Sequence, residues 1–150
     1  MAQSLTNGFS EKQLALYTDE YNERADLVFR FGALLTVSRE GGERLTEETF
    51  RMLLQDFAQV KSETSAPTLL IALAWKAWNK IKSEKFHEWN APILQSMKAI
   101  SIEQRAALFA VEMAGLEVPD AAKLFGSDEK TVRKLLAGAQ KFLSTTSIRV

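Results

Sequence analysis

The sequence predicts an all-α fold of two small helical lobes, the C-terminal one a helix-turn-helix. Three observations predict it. No stretch alternates apolar and polar residues with period two for long enough to make a strand. Apolar residues recur at three- and four-residue spacing in one segment after another. The segment from Gly115 to Leu136 reads as two helices around a tight turn at Gly126. The 150 residues suit one domain or two small ones, and a hydrophobic content of 46% supplies a core.

Each element has its own signal. Ser10 with Gln13 fits a capping box, so the first helix starts there. Leu14, Tyr17, Tyr21, Ala25, Val28, Phe29, Gly32 and Leu35 keep helical spacing to about Leu35, with Thr18 a candidate second start. Ser38 to Gly42 ends in two glycines and reads as a loop. Thr46 opens the next helix, with Glu47 and Glu48 in its first turn, where carboxylates meet the positive end of the helix. Leu45, Phe50, Leu53, Leu54, Phe57 and Val60 form its apolar side. Lys61 to Pro67 reads as a polar loop, and a third helical region from about Thr68 to Phe86 contains Trp75 and Trp78. Asn90-Ala91-Pro92 breaks the pattern, so residues 87–92 are expected to be a mobile linker between a lobe at 1–86 and a lobe at 93–150, each with its own core. A short helix, Ile93 to Ile100, leads through Ser101 into Ile102–Ala114.

The last third carries the clearest pattern. Pro119 suits the first turn of a helix, where its missing N–H costs nothing. Ala121, Ala122, Leu124 and Phe125 make a short helix whose small residues allow a close crossing. Gly126 ends it, and Asp128 is placed to cap the next helix by accepting from a backbone N–H two or three residues on. Val132, Leu135, Leu136, Ala139 and Leu143 form one stripe, with Lys130, Thr131, Arg133 and Lys134 between them. In a DNA-binding helix-turn-helix the second helix enters the major groove with its N-terminal residues facing base edges. An ordinary helical hairpin with a solvated charged face has the same pattern.

Composition narrows the function. Lys and Arg number 19 and Asp and Glu number 19, so charge alone does not hold the chain to nucleic acid. The balance is uneven: residues 61–98 carry six basic against three acidic side chains, while residues 1–60 carry six against ten. The longest apolar run, Leu69 to Trp75, is too short to span a bilayer, so no membrane partner is expected. The first residues lack the basic and apolar regions of a signal peptide, and there is no cysteine; a cytoplasmic location is the expectation. His87 has no second His or Cys to share a metal and reads as a surface linker residue. Gly41-Gly42 is too little to cradle a phosphate, and nothing points to an enzyme or a cofactor.

The stretch Ile100 to Leu116, with Glu103-Gln104-Arg105 and Gly115-Leu116, runs into Ala122, Phe125-Gly126 and Thr131-Val132. Over about forty residues it resembles promoter-reading region four of bacterial sigma factors of the extracytoplasmic-function type. Gly42-Glu-Arg-Leu-Thr-Glu-Glu-Thr-Phe50 is similar to the run in that family's region two that docks on the polymerase clamp. Leu69 to Trp75 and Lys76-Ala-Trp-Asn-Lys80 sit where the family reads and melts the downstream promoter element. The resemblance implies that Leu45, Phe50, Arg51 and Leu54 contact RNA polymerase core. It implies that Trp75, Lys76, Trp78 and Lys80 face the downstream element of promoter DNA, and that Lys130, Thr131, Arg133, Lys134 and Lys141 face the upstream one. An anti-sigma factor is a further implied partner.

The sequence departs from that family at several positions. Arg44 stands where the clamp run has Asp, Glu47 where it has Gln, and Leu69-Leu70 where Trp-Leu often opens the melting helix. In the recognition helix Leu135, Ala137, Gly138 and Gln140 occupy positions where Arg or His is common, and Gly138 costs roughly 1 kcal/mol against Ala. Trp75 and Trp78, three apart on one face of an apolar helix, are platforms for unstacked bases on one reading and core on the other, and burial alone explains them. Lys76, Lys80, Lys82 and Lys85 follow a phosphate backbone on one reading and solubilise the helix on the other. Two functions therefore stand beside each other: a sigma-type initiation factor, and a sigma mimic that keeps the fold and works through protein contacts. A small helical enzyme is a third, weaker reading.

Overall fold

The described residues of the computed structural model are 11–56 and 66–145, and all regular structure among them is helical. Helix α1 spans Glu11–Thr36, α2 Arg39–Asp56 and α3 Ala66–Ile81. After an extended segment come α4, Pro92–Ser96, and α5, Ile102–Leu108, which continues into a π turn at Phe109–Met113. The chain closes with α6, Val118–Phe125, and α7, Glu129–Thr145. The Ser10 cap, Phe57, Val60 and residues 61–65 of the polar loop lie outside the described residues. Among the described residues no helix is long and apolar enough to cross a membrane.

α1 runs unbroken through Thr18 to Thr36. The loop expected at Ser38–Gly42 is shorter: α2 begins at Arg39, and both glycines lie inside it. Their role is close packing. A Cβ on Gly42 would stand 2.8 Å from the Phe29 carbonyl oxygen, so the hairpin of α1 and α2 closes only around glycine. The Ser38 hydroxyl accepts from the Gly41 N–H at 3.1 Å, which makes Ser38 the cap of α2. Thr46 is therefore not the helix start; its hydroxyl bonds the Gly42 carbonyl at 2.8 Å within the helix. The turn between α1 and α2 holds Val37 at φ 51°, a left-handed conformation that is a genuine outlier for a β-branched residue. α3 ends at Ile81, five residues before the expected Phe86, in a turn closed by the Lys82 and Glu84 N–H groups.

The expectation of two separate cores does not hold. Val28, Phe31, Leu45, Leu53 and Ile71 from the first half and Phe109, Ala121, Val132 and Leu136 from the second belong to one buried cluster. Phe31 of α1 and Phe109 of the π turn pack with ring centroids 5.1 Å apart. Both rings are sealed from water, and complete burial of one such side chain stabilises by about 1.5–3 kcal/mol. Trp75 of α3 meets Phe125 of α6 edge-on at 4.8 Å. The linker is held as well. The Trp89 N–H donates to the Val37 carbonyl at 2.8 Å, and the Ser38 hydroxyl donates to the His87 carbonyl at 2.6 Å. Apolar surface on α3 and α5 that each half alone would leave wet is removed from water by the other half.

Candidate nucleic-acid and partner interface

The helix-turn-helix forms as its sequence directs. Pro119 lies in the first turn of α6, Gly126 takes the left-handed φ of 67° that ends it, and the Asp128 carboxylate accepts from the Thr131 N–H at 2.7 Å to start α7. Val132, Leu136 and Ala139 are buried, with Leu116 beneath and Leu124 half-buried at the edge. The opposite face is open: Lys130, Thr131, Arg133, Lys134 and Lys141 are all exposed. Arg133 is not a free cation, because its Nη2 pairs with Glu129 Oε1 at 3.0 Å one turn earlier. The Thr131 hydroxyl and N–H hold the Asp128 carboxyl below its ordinary range, with Lys134 adding to the effect. The tip of α7 therefore presents two carboxylates beside its cations, and any phosphate there competes with Glu129 for Arg133.

Gly138 has a physical reason. Its missing Cβ would stand 2.4 Å from the Gln104 side-chain amide. Gln104 is held there by the capping box of α5: its Oε1 accepts from the Ser101 N–H at 2.8 Å while the Ser101 hydroxyl accepts from the Gln104 N–H at 3.0 Å. The Gln140 amide donates to Glu112 Oε1 at 2.9 Å. Two of the positions at which α7 departs from a basic recognition helix thus serve its docking on the rest of the lobe.

α3 and α2 are placed differently. Trp78 is only 7% exposed and belongs to the core, and Trp75 is half-buried under Phe125, so neither indole is free to stack on a base here. Lys76 and Lys80 are exposed. On α2, Leu45, Phe50 and Leu54, which the resemblance puts on a polymerase surface, are 0%, 2% and 3% exposed and build the core that α1, α2 and α3 share in this form. Arg51 reaches outward but is engaged by Glu48. Burial pushes the Glu48 carboxyl up, and Arg51 and Arg44 more than offset this and leave it below its ordinary value. Arg44 also binds Glu84 at 3.1 Å, tying α2 to the turn after α3. Among the described residues no group of His, Cys, Asp and Glu is arranged to hold a metal ion.

In the sequence Arg105 is visible only as part of a motif. Its side chain reaches out of α5 to the end of α1, where Nη1 donates to the Leu34 and Leu35 carbonyls at 3.1 and 3.0 Å. By the sequence Phe125 only helps to form a helix, and its lid over Trp75 joins segments fifty residues apart in sequence. Neither contact has a local signature.

Two helical halves that share one core, the second ending in a helix-turn-helix, make a fold that this chain shares with two solved structures. The sigma factor RpoE, in its co-crystal structure with the anti-sigma factor NepR from Bartonella quintana, superposes with a TM-score of 0.70 at 12% identity, over 89% of this chain and 98% of that one. The PhyRSL–NepR complex from Sphingomonas sp. Fr1, an NMR structure, gives a TM-score of 0.70 at 17% identity, over 85% of this chain and 86% of that one. The chain has a sigma-like fold. No family model matches the sequence, and no curated protein is significantly similar to it.

Proposed function

We propose that this chain is a sigma-like regulator that acts through protein contacts and takes an anti-sigma factor as its partner. One observation carries this reading: the two halves share a single core, and the closure sets Phe125 on Trp75 and leaves Trp78 inside. Surfaces that a sigma factor offers to a melted promoter strand are in this form spent on holding the halves together. Both structural neighbours are complexes with NepR, which supports a partner of that kind. Zero formal charge and the Glu129–Arg133 pair agree with a weak grip on DNA.

The open face of α7 favours a second reading, a transcription initiation factor. On it the N-terminal lobe binds RNA polymerase core, Lys76 and Lys80 with the two tryptophans meet the downstream element, and Lys130, Thr131, Arg133, Lys134 and Lys141 meet the upstream one. It requires the lobes at 1–86 and 93–150 to part about 87–92. The deciding experiment mixes the purified chain with bacterial polymerase core and, separately, with an anti-sigma factor of the NepR kind, and follows both by size-exclusion chromatography. A complex with the anti-sigma factor and none with core is expected. Formation of a holoenzyme that opens promoter DNA overturns the protein-contact reading.

A further inference from the structure

A cavity of about 240 Å³ lies where the end of α1, the segment after α3 and the start of α5 meet. Arg105 lines it and is only 7% exposed. Its Nη1 is taken by the two α1 carbonyls, while its Nε is buried with no partner at all. No carboxylate among the described residues bonds the guanidinium. Glu103, on the same helix, is exposed and makes no hydrogen bond to it. Burial pushes the Arg105 pKa down, and Glu103 opposes this only from a distance.

The other charged side chains of the lining are already matched: Glu84 is bound by Arg44, and Glu88 by Lys98 at 2.6 Å. Arg105 is thus the lining charge without a counter-ion. A buried charge without one is costly unless a ligand supplies it, and a guanidinium presents a planar fork suited to a carboxylate. Part of the lining is apolar, formed by Leu35, Val37 and Trp78, all buried. It includes Val37 at φ 51°, a left-handed backbone that is strained for a β-branched residue.

We propose, on the protein-contact reading above, that this cavity receives the carboxylate of an Asp or Glu side chain of the protein partner, with Arg105 binding the anion and the Leu35–Val37–Trp78 wall taking the stem that carries it. A partner helix seated this way bridges both halves at once, because the cavity is built from both.

The test has two arms. In the first, protein labelled with ¹⁵N-arginine is titrated at constant ionic strength with N-acetyl-glutamate amide, with its uncharged glutamine analogue, and with inorganic phosphate, while the Arg105 Nε–Hε resonance is followed. A saturable shift with the glutamate compound alone is expected. No shift overturns the proposal, and an equal shift with phosphate overturns it in favour of a free-anion site. In the second arm, affinity for an anti-sigma factor of the NepR kind is measured for the parent, Arg105→Gln, Arg105→Lys and Ile102→Trp. The glutamine variant keeps a donor for the α1 carbonyls and loses the charge; the tryptophan variant narrows the cavity and keeps the guanidinium. With folding verified by thermal melting, at least tenfold weaker binding is expected for Arg105→Gln and Ile102→Trp, with partial recovery in Arg105→Lys. Equal binding by the parent and Arg105→Gln overturns the cavity proposal and leaves the protein-contact reading standing. A parent that does not bind the anti-sigma factor overturns that reading and the partner carboxylate with it.

Discussion

α3 and α7 carry the two sets of side chains through which a sigma-type chain would meet DNA, and the fold treats them in opposite ways. On α3 the aromatic side chains are covered, Trp78 by the core and Trp75 by Phe125, and only Lys76 and Lys80 face outward. On α7 all five basic or hydroxyl candidates are exposed. The cause lies in composition. α7 has a single apolar stripe, Val132–Leu136–Ala139, which one packing surface satisfies. α3, with Leu70, Ile71, Leu73, Ala74, Ala77 and Trp78 buried and Leu69 and Trp75 half-buried, is apolar nearly all round and needs cover on more than one side. The first half supplies one cover and α6 the other. An over-apolar helix in a small chain draws cover from both halves, and its aromatic side chains then hold the two halves together.

The largest effect should come from the stripe of α7. Val132→Asp puts a carboxylate with no partner into a sealed site, which costs several kcal/mol against a total stability of about 5–15 kcal/mol. Loss of the folded chain by circular dichroism is expected, and a variant that melts like the parent breaks the hairpin assignment. Phe109→Ala comes next, at about 3–5 kcal/mol for a large ring deleted from a core. Because Phe109 packs on Phe31 across the halves, urea unfolding of parent and variant should each show a single transition. Two transitions in the parent would mean that the halves unfold independently despite their shared cluster.

What was legible in the sequence follows the same division. The hairpin at Gly115–Leu136 was readable because its signals are local: Pro119, Gly126 and Asp128 each act within a turn of their own position. Gly41-Gly42 misled because glycine in a loop and glycine at a helix crossing look alike until the partner helix is in place, and that partner, Phe29, lies on another helix. The resemblance puts Leu45, Phe50 and Leu54 on a polymerase surface, while their helical spacing alone already describes a core stripe, which is where they lie in this form. Arg105 was visible only as part of a motif, since the carbonyls it binds lie about seventy residues earlier.

Trp75→Ala sharpens the contrast between the two helices at intermediate cost. The edge-on pair with Phe125 contributes about 0.5–1.5 kcal/mol beyond its buried area, and its loss weakens the contact between halves without touching α7. Faster limited proteolysis at 87–91 is expected, with the global melting point only slightly lowered. An unchanged cleavage rate would show that the Trp89 and His87 hydrogen bonds to the α1–α2 turn hold the linker by themselves. Replacing Arg133 and Lys134 by Ala should move stability by less than about 0.5 kcal/mol, since both are exposed and off the stripe. If α7 touches phosphates, the same variant flattens the salt dependence of promoter-fragment binding by about one unit per charge. Identical curves for parent and variant remove the DNA role of α7.

The smallest effect isolates the tip of α7. Asp128 titrates below its ordinary range in the folded chain because the Thr131 hydroxyl and N–H favour its charged form. A folded-state pKa below the unfolded one contributes stability that is present in full above the unfolded value and is lost as pH falls through the folded value. Glu48, also held below its ordinary value, titrates in the same direction, so global melting curves mix the two groups. Amide exchange at Thr131 separates them, because that N–H donates to the Asp128 carboxylate and has no tie to α2. Protection of the Thr131 amide should fall on acidification in the parent. In Asp128→Asn, which keeps an accepting oxygen and has no proton to gain, it should start lower and hardly vary with pH. The same slope in both proteins would assign the acid sensitivity of the α7 tip to a group other than Asp128. The first turn of α7 would then be held by its packing on Val132 rather than by its cap.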